Sequence, residues 1–84
     1  MYAPRKIGGR EATLRTKQYF EETFGSFGVL SFDIKSVKFD DGKSLWEVLC
    51  SFQRGLSGLE ASYQVTLRDD GGIDSVTLLE NAVQ

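Results

Sequence analysis

The stretch that decides the fold is residues 29–53, VLSFDIKSVKFDDGKSLWEVLCSFQ, in which two alternating segments flank Asp41-Gly42. Alternation of apolar and polar side chains is typical of strands, because successive side chains point to opposite faces of a sheet. An Asp-Gly pair between two such segments is a strong hairpin signal, since a type I′ turn needs positive φ at both central residues. The stretch therefore predicts an antiparallel hairpin.

The same alternation continues through the second half of the chain, where Asp70-Gly71 again separates two segments. Repetition of strand and turn without an intervening helical segment is typical of an antiparallel meander. The predicted strands are Val29–Phe39, Ser44–Gln53, Glu60–Arg68 and Ile73–Leu79.

Residues 10–24 have a helical period instead. At about 100° per residue, Ala12, Thr16, Tyr19, Phe20 and Thr23 share one stripe, and the opposite side is mostly polar. The sequence therefore predicts an α+β fold, α-β-β-β-β, with one N-terminal helix packed on a four-stranded antiparallel meander. We expect residues 1–84 to form a single domain, with a flexible arm over 1–9, the helix over 10–24 and the sheet over 29–79.

The strand register can be predicted from the turns. A two-residue turn at Asp41-Gly42 places Trp46 opposite Val37, but it also places Lys35 on the core face opposite Val48. One extra residue beside this lysine, a β-bulge, restores apolar residues to the core face. In the last hairpin a turn at 70–71 needs no such correction.

That last turn pairs Val65 with Val76 and Tyr63 with Leu78. Apolar residues of the sheet and helix then converge on one layer. The predicted core consists of Tyr19, Phe20, Leu30, Phe32, Ile34, Val37, Trp46, Val48, Cys50, Phe52, Tyr63, Val65, Leu67, Val76 and Leu78.

Composition narrows the possible functions. The chain has 84 residues, 40% of them hydrophobic, with a net charge of −2, no His and one Cys, Cys50. This excludes His-containing metal sites, Cys clusters, disulfides and His-based triads. A chain this short needs most apolar residues for its core. We therefore expect no enzyme, no cofactor and a buried, inert Cys50.

The compartment can also be predicted. The N-terminus lacks the apolar run of a secretory signal, and no stretch is long and apolar enough to cross a membrane. Small domains of oxidising compartments usually carry several disulfides, which a single Cys cannot form. The expected localisation is cytoplasmic, with no membrane partner.

A family resemblance supports the same architecture. The spacing of Asp41-Gly42, Trp46-Glu47-Val48, Tyr63-Gln64-Val65 and Asp70-Gly71 is similar to that of PepSY-type domains, and the helix-plus-meander order resembles cystatin-like domains over residues 10–80. Inhibitory cystatins also carry a Q-x-V-x-G loop and a Pro-Trp loop. Here the hairpin tip is Asp40-Asp41-Gly42-Lys43, and Leu45 precedes Trp46. The resemblance therefore implies the fold and not protease inhibition.

The outer sheet face is the first candidate site. By strict alternation, several apolar side chains and one threonine point away from the helix. They suit an interface with a second copy, as in a homodimer, or with another protein partner, and scattered surface residues are the alternative. These interface candidates are Leu45, Leu49, Ile73, Thr77 and Leu79.

Two charged sets give further hypotheses. The first 18 residues are basic, which favours a nucleic-acid or anionic partner if it is not plain solvated surface. Four aspartates at one end of the meander are possible Ca²⁺ or Mg²⁺ ligands, although Asp beside Gly is first a turn former. The basic candidates are Arg5, Lys6, Arg10, Arg15 and Lys17; the acidic ones are Asp40, Asp41, Asp69 and Asp70.

Overall fold

The computed structural model describes residues 7–56 and 58–81 and confirms the predicted α+β fold. In this part of the chain a single helix precedes four antiparallel strands, which lie in the sheet in chain order. A short 3-10 turn, Ser26–Gly28, joins the helix to the sheet. The elements are α1 (Gly9–Phe24), β1 (Leu30–Asp40), β2 (Leu45–Gln53), β3 (Glu60–Arg68) and β4 (Ile73–Asn81).

The predicted stripe of the helix is buried in part, because Tyr19 is half-buried and Thr23 is exposed. Ala12, Thr16 and Phe20 are fully buried, and the Thr16 hydroxyl donates to the Ala12 carbonyl at 2.8 Å, so its burial leaves no unpaired donor. The helix ends at Gly25, whose φ of 82° favours glycine and whose N–H donates to the Glu21 carbonyl at 2.8 Å. The helix thus ends where the sequence indicates.

The predicted flexible arm, residues 1–9, falls largely on residues 1–6, which lie outside the described part. Ile7 packs against the core, and Gly9 begins the helix one residue earlier than predicted. The arm prediction therefore does not extend to these two residues.

Aromatic side chains dominate the core. Phe20 of α1 lies 4.8 Å from the ring of Phe52 and 5.0 Å from that of Tyr63, both measured between centroids. Val29 and Ala61 are also buried, although the predicted core did not include them. These ring contacts anchor the buried side of α1 on the sheet.

The helix covers only part of the sheet's inner face. It packs mainly on β1 and β2, because a helix is about 10 Å wide whereas four strands spaced about 4.8 Å apart form a wider sheet. Leu78 of β4 lies on the inner face, as predicted, but is 49% exposed. The inner face along β4 is therefore incompletely covered.

The first hairpin differs from its predicted register by two residues. Its turn has four residues, 41–44, so Phe39 pairs with Trp46 and Val37 pairs with Val48. The predicted pairing of Val37 with Trp46 is wrong because Asp40 widens the turn: its carboxylate accepts hydrogen bonds from the N–H groups of residues 42 and 43 at 2.9 and 3.2 Å. A two-residue slip keeps every side chain on its predicted face.

The predicted bulge in β1 is confirmed. Ile34 pairs with Cys50 and Ser36 with Leu49, so Lys35 is the extra residue. A second shift, between Leu30 and Asp33, was not predicted. The bulge at Lys35 keeps Phe32, Ile34 and Val37 packed against the core. The second shift pairs Leu30 with the outer-face Gln53, so the predicted core position of Leu30 is wrong, and Val29 is buried instead.

The last hairpin has the predicted pairs Val65 with Val76 and Tyr63 with Leu78. Its register shifts at two places that were not predicted: between Ser62 and Tyr63, which makes Leu79 an extra residue, and between Thr66 and Leu67, which makes Asp74 an extra residue and pairs Leu67 with Ile73. The predicted outer-face position of Ile73 is therefore wrong, because this bulge turns its side chain into the core.

Candidate interaction surfaces

On the outer face of the sheet, polar residues separate the apolar ones. Leu45 and Leu49 are half-buried on β2, with Glu47 between them, and Leu49 is followed across the sheet by Gln64 and then Thr77. Each apolar side chain therefore has polar neighbours along its strand and across it. Leu45, Leu49 and Thr77 share this side of the sheet but form no single apolar patch. Ile73 packs against the core instead, and Leu79 is the extra residue of a bulge, so strict alternation does not give its face.

A shallow depression lies on this face. Its lining includes Ser36, Lys38, Glu47, Leu49 and Gln64, its volume is about 130 Å³, and Lys38 Nζ lies 3.7 Å from Glu47 Oε1. Sites for drug-sized ligands are about 300–1,000 Å³ and more enclosed. The depression is therefore too small and too open to indicate a substrate site.

The edge strand β4 contains an uncharged run with two exposed leucines. Among the described strands, β4 has a neighbour on one side only. Residues 75–79, SVTLL, carry no charge, and Leu78 and Leu79 are 49% and 47% exposed. Asp74 precedes them, but its carboxylate accepts a hydrogen bond from Thr66 of β3 at 3.2 Å. The uncharged run lies between Asp74 and Glu80 of the same strand, and register shifts fall at Asp74 and Leu79, so this edge has both charged residues and bulges, the features that usually hinder strand addition.

The opposite edge, β1, also has charged side chains. Asp33, Lys35 and Lys38 lie along it, and two register shifts interrupt it. The Asp33 carboxylate lies 2.7 Å from Lys35 Nζ, and this hydrogen bond and charge raise the pKa of the lysine. Bulges and charged side chains are typical protections of edge strands. Both edge strands of the sheet thus have charged residues and register shifts.

Two exposed apolar side chains form a further surface, the apolar tips, defined as Phe27 and Leu56. They are 89% and 91% exposed and belong to the α1–β1 and β2–β3 connections, which lie at the same end of the sheet. The second connection is tied to its strand, because Gln53 Nε2 donates to the Leu56 carbonyl at 2.9 Å. Phe27 is absent from the sequence-predicted sites; its position between Gly25 and Gly28 is the signal that could have revealed it.

The acidic turns use their carboxylates locally. Asp40 accepts from the backbone of its own turn, as described above, and Asp70 accepts from the Gly72 N–H at 2.9 Å. Within residues 7–56 and 58–81, no group of three or more Asp, Glu or Cys is placed to hold a metal ion. These hydrogen bonds match the turn-forming interpretation of the sequence.

The basic candidates are not brought together. Arg5 and Lys6 lie outside the described residues. Arg10 and Lys17 lie on one flank of α1, whereas Arg15 lies about 140–160° around the helix from them. Arg15 Nε lies 2.8 Å from Glu11 Oε2, and its side chain lies across Gly71 of the β3–β4 turn. The described basic residues therefore form no single patch.

Cys50 is fully buried on the inner face, as predicted. Burial in apolar surroundings penalises the thiolate and raises the pKa of its thiol to about 12. A thiol with this pKa is almost entirely protonated near neutral pH, and a nucleophilic cysteine must be a thiolate. The position of Cys50 thus gives it a packing role.

Comparison of the chain with protein families, characterised proteins and solved structures finds no match. The resemblance to cystatin-like and PepSY-type domains accordingly stays a prediction. In the described part of the chain, the helix is too short and too polar to cross a membrane.

Proposed function

We propose that this protein is a non-catalytic interaction module that self-associates through an exposed part of its sheet. The observation that carries the proposal is Leu78, an inner-face leucine that is 49% exposed beside the open edge of β4. When another chain covers an apolar side chain that is half exposed to water, the free energy of the system falls, so Leu78 favours association.

The expected affinity is modest. Full burial of a leucine side chain stabilises by about 1.5–3 kcal/mol, so completing the burial of the exposed half contributes about 1 kcal/mol per side chain. Association also loses translational and rotational entropy, estimated at several kcal/mol or more. We therefore expect dissociation in the micromolar range or weaker.

A reducing compartment, such as the cytoplasm, suits this proposal. The one cysteine is buried and forms no disulfide, and the fold is held by its aromatic and aliphatic core instead. Small domains that function in oxidising compartments usually add disulfides to such a core.

The proposal is tested by measuring mass against concentration. Light scattering from micromolar to millimolar protein should show a mass that rises from 9.4 kDa towards that of two chains. Leu78→Asp should shift the rise to at least tenfold higher concentration. Leu14→Asp is the matched control, because Leu14 is 53% exposed but lies on the helix.

Two results would contradict the proposal. One is a mass of a single chain at every concentration, and the other is an equal effect of the two aspartate substitutions. Circular dichroism of both variants checks that the fold is intact, so that a change in mass reports association alone.

A further inference from the structure

We infer that Asp41-Gly42 is a site of spontaneous isoaspartate formation in the folded protein, whereas Asp70-Gly71 is protected from the same reaction. The triplet Asp-Asp-Gly occurs twice in the chain, at residues 40–42 and 69–71. Because the local sequence is the same, a difference in reactivity between the two sites comes from the structure around them. This inference does not depend on the proposed self-association.

The reaction needs water as its only co-reactant. The backbone nitrogen of Gly42 loses its proton and attacks Cγ of Asp41, whose protonated carboxyl group releases one water as a five-membered succinimide closes. A second water then adds to the backbone carbonyl of Asp41 and breaks its bond to that nitrogen, so the chain now runs through the side-chain carbon. No electrons are transferred and the mass is unchanged. Glycine favours the attack because it has no Cβ beside the nitrogen.

The first turn, residues 41–44, leaves the reacting groups in solvent. Asp41 and Gly42 are both exposed, and the Gly42 N–H donates to a side chain, Asp40 Oδ1, at 2.9 Å. A solvent-exposed hydrogen bond to a side chain opens readily, because water replaces the lost partner. Local opening of the turn therefore releases the nitrogen without unfolding of the sheet.

A strained residue in the same turn lowers the free energy of this opening. Ser44 has a φ of 56°, a left-handed conformation that is unfavourable for a residue with a Cβ. The open turn relieves this strain. The strain and the side-chain hydrogen bond thus act in the same direction, towards transient opening at Asp41-Gly42.

The second turn holds its attacking nitrogen in place. The Gly71 N–H donates to the Arg68 carbonyl at 2.8 Å, and the Arg68 N–H donates across the turn to the Gly72 carbonyl at 2.7 Å. Gly71 is also buried, and a Cβ at this position would lie 2.6 Å from Arg15 Nε. The nitrogen is therefore fixed by backbone hydrogen bonding and covered by a side chain of α1.

The aspartate of the second site is held as well. Asp70 Oδ1 accepts from the Gly72 N–H at 2.9 Å and lies 3.6 Å from Arg68 Nε. In the first turn the corresponding acceptor is Asp40, the residue before the reacting pair. In the second turn, the carboxylate that caps the turn is thus also the one that must react, and reaction requires these contacts to break.

The product stays folded. Isoaspartate adds one methylene to the backbone of the turn, outside the β1–β2 ladder, whose last pair is Asp40 with Leu45. The strand register is therefore retained. The altered turn presents an exposed isoaspartyl carboxylate, which is the substrate class of an isoaspartyl methyltransferase.

The experiment incubates the full chain for several weeks in mildly acidic buffer, one sample folded and one in concentrated urea. Proteolysis followed by electron-transfer mass spectrometry quantifies isoaspartate at residues 41 and 70 separately. In urea the two sites should react at similar rates, because the triplets are the same. In the folded protein, residue 41 should react at least tenfold faster than residue 70. Circular dichroism checks that the folded sample stays folded.

A matched pair of variants identifies the source of the product. Glutamate would have to close a six-membered ring, which forms far more slowly. Asp41→Glu should therefore remove most of the methyl groups that an isoaspartyl methyltransferase transfers to the incubated folded protein, whereas Asp70→Glu should leave their number unchanged. Thermal melting establishes that both variants fold.

Each outcome decides the inference. Equal reaction at the two residues in the folded protein, or faster reaction at residue 70, overturns it. Absence of isoaspartate at residue 41 in the folded sample, when the urea sample reacts, overturns it too. A preference for residue 41 that disappears in urea and is lost in Asp41→Glu supports it.

Discussion

Phe39 and Trp46 face each other across the first hairpin, with ring centroids 5.2 Å apart and ring planes at 68°. The indole is buried, and the phenyl ring packs against it from the first strand. Edge-to-face aromatic pairs contribute about 0.5–1.5 kcal/mol beyond their buried area. This contact closes the end of the core nearest to the acidic turns.

Phe39→Ala should therefore lower the free energy of unfolding by about 2 kcal/mol, less than the 3–5 kcal/mol typical of a fully buried phenylalanine. Urea denaturation followed by the fluorescence of Trp46 measures the change. Lys38→Ala, on the exposed side of the same strand, is the control and should change stability by no more than about 0.5 kcal/mol. Equal losses from the two variants would contradict the aromatic contact.

The two Asp-Gly turns should respond differently to alanine. Gly71 has a φ of 95°, and a Cβ at this position would lie 2.6 Å from Arg15 Nε. Gly42 lacks positive φ, and a Cβ there would have Asp40 Oδ1 as its nearest neighbour, at 3.3 Å. Gly71→Ala should lower the melting temperature, with a loss of about 1–3 kcal/mol, whereas Gly42→Ala should have a smaller effect. A larger loss from Gly42→Ala would show that the turn geometries are reversed.

Deletion of Lys35 should be far less damaging than deletion of Lys38 in the same strand. Lys35 is the extra residue of the bulge, so its removal leaves Ile34 opposite Cys50 and Ser36 opposite Leu49 in a continuous ladder. Lys38 is paired with Glu47, so its removal shifts the preceding residues by one position and turns Val37 towards the outer face. Each apolar side chain removed from the core loses about 1.5–3 kcal/mol. Thermal melting should show a larger drop for the Lys38 deletion than for the Lys35 deletion, and similar melting of the two variants would count against the bulge.

Cys50 should make folding sensitive to alkaline pH. Its thiol pKa rises from 9.0 to about 12 on folding, so above about pH 9 the unfolded chain loses this proton while the folded chain retains it. The contribution of this thiol to the free energy of unfolding is fully present below pH 9. It falls between pH 9 and 12, by up to about 1.4 kcal/mol per pH unit.

Urea denaturation of the native protein and of Cys50→Val at several pH values measures this effect. The native protein should lose stability relative to the valine variant as pH rises above 9, because valine has no proton to release. All other ionisable groups are common to the two proteins, so the comparison isolates the effect of Cys50. A difference that does not change with pH would contradict the raised pKa.

The faces of the sheet could be predicted from the sequence because side-chain alternation has a period of two. Val48, Cys50 and Phe52 are buried as the pattern indicates. Their pairing partners could not be predicted, since the partner depends on how many residues the turn contains. Asp40 lengthens that turn by hydrogen bonds that composition does not reveal. Ile73 was placed on the wrong face for a related reason, a bulge at the adjacent Asp74.

The candidate interaction surface needed the tertiary structure. Leu79 and Thr77 were identified from alternation, but the exposure of Leu78 depends on where the helix lies above the sheet. That β1 and β4 form the edges depends on strand order, and strand order is a property of the assembled sheet.

The sequence by itself determined one helix, four strands and the face on which each apolar side chain lies, apart from residues beside a bulge, because these follow from local periodicity. Only the tertiary structure decided the strand register, which strands form the edges of the sheet, and the half-exposed position of Leu78. The physical reason is that these features depend on contacts between distant segments, and a single helix is too narrow to cover all four strands.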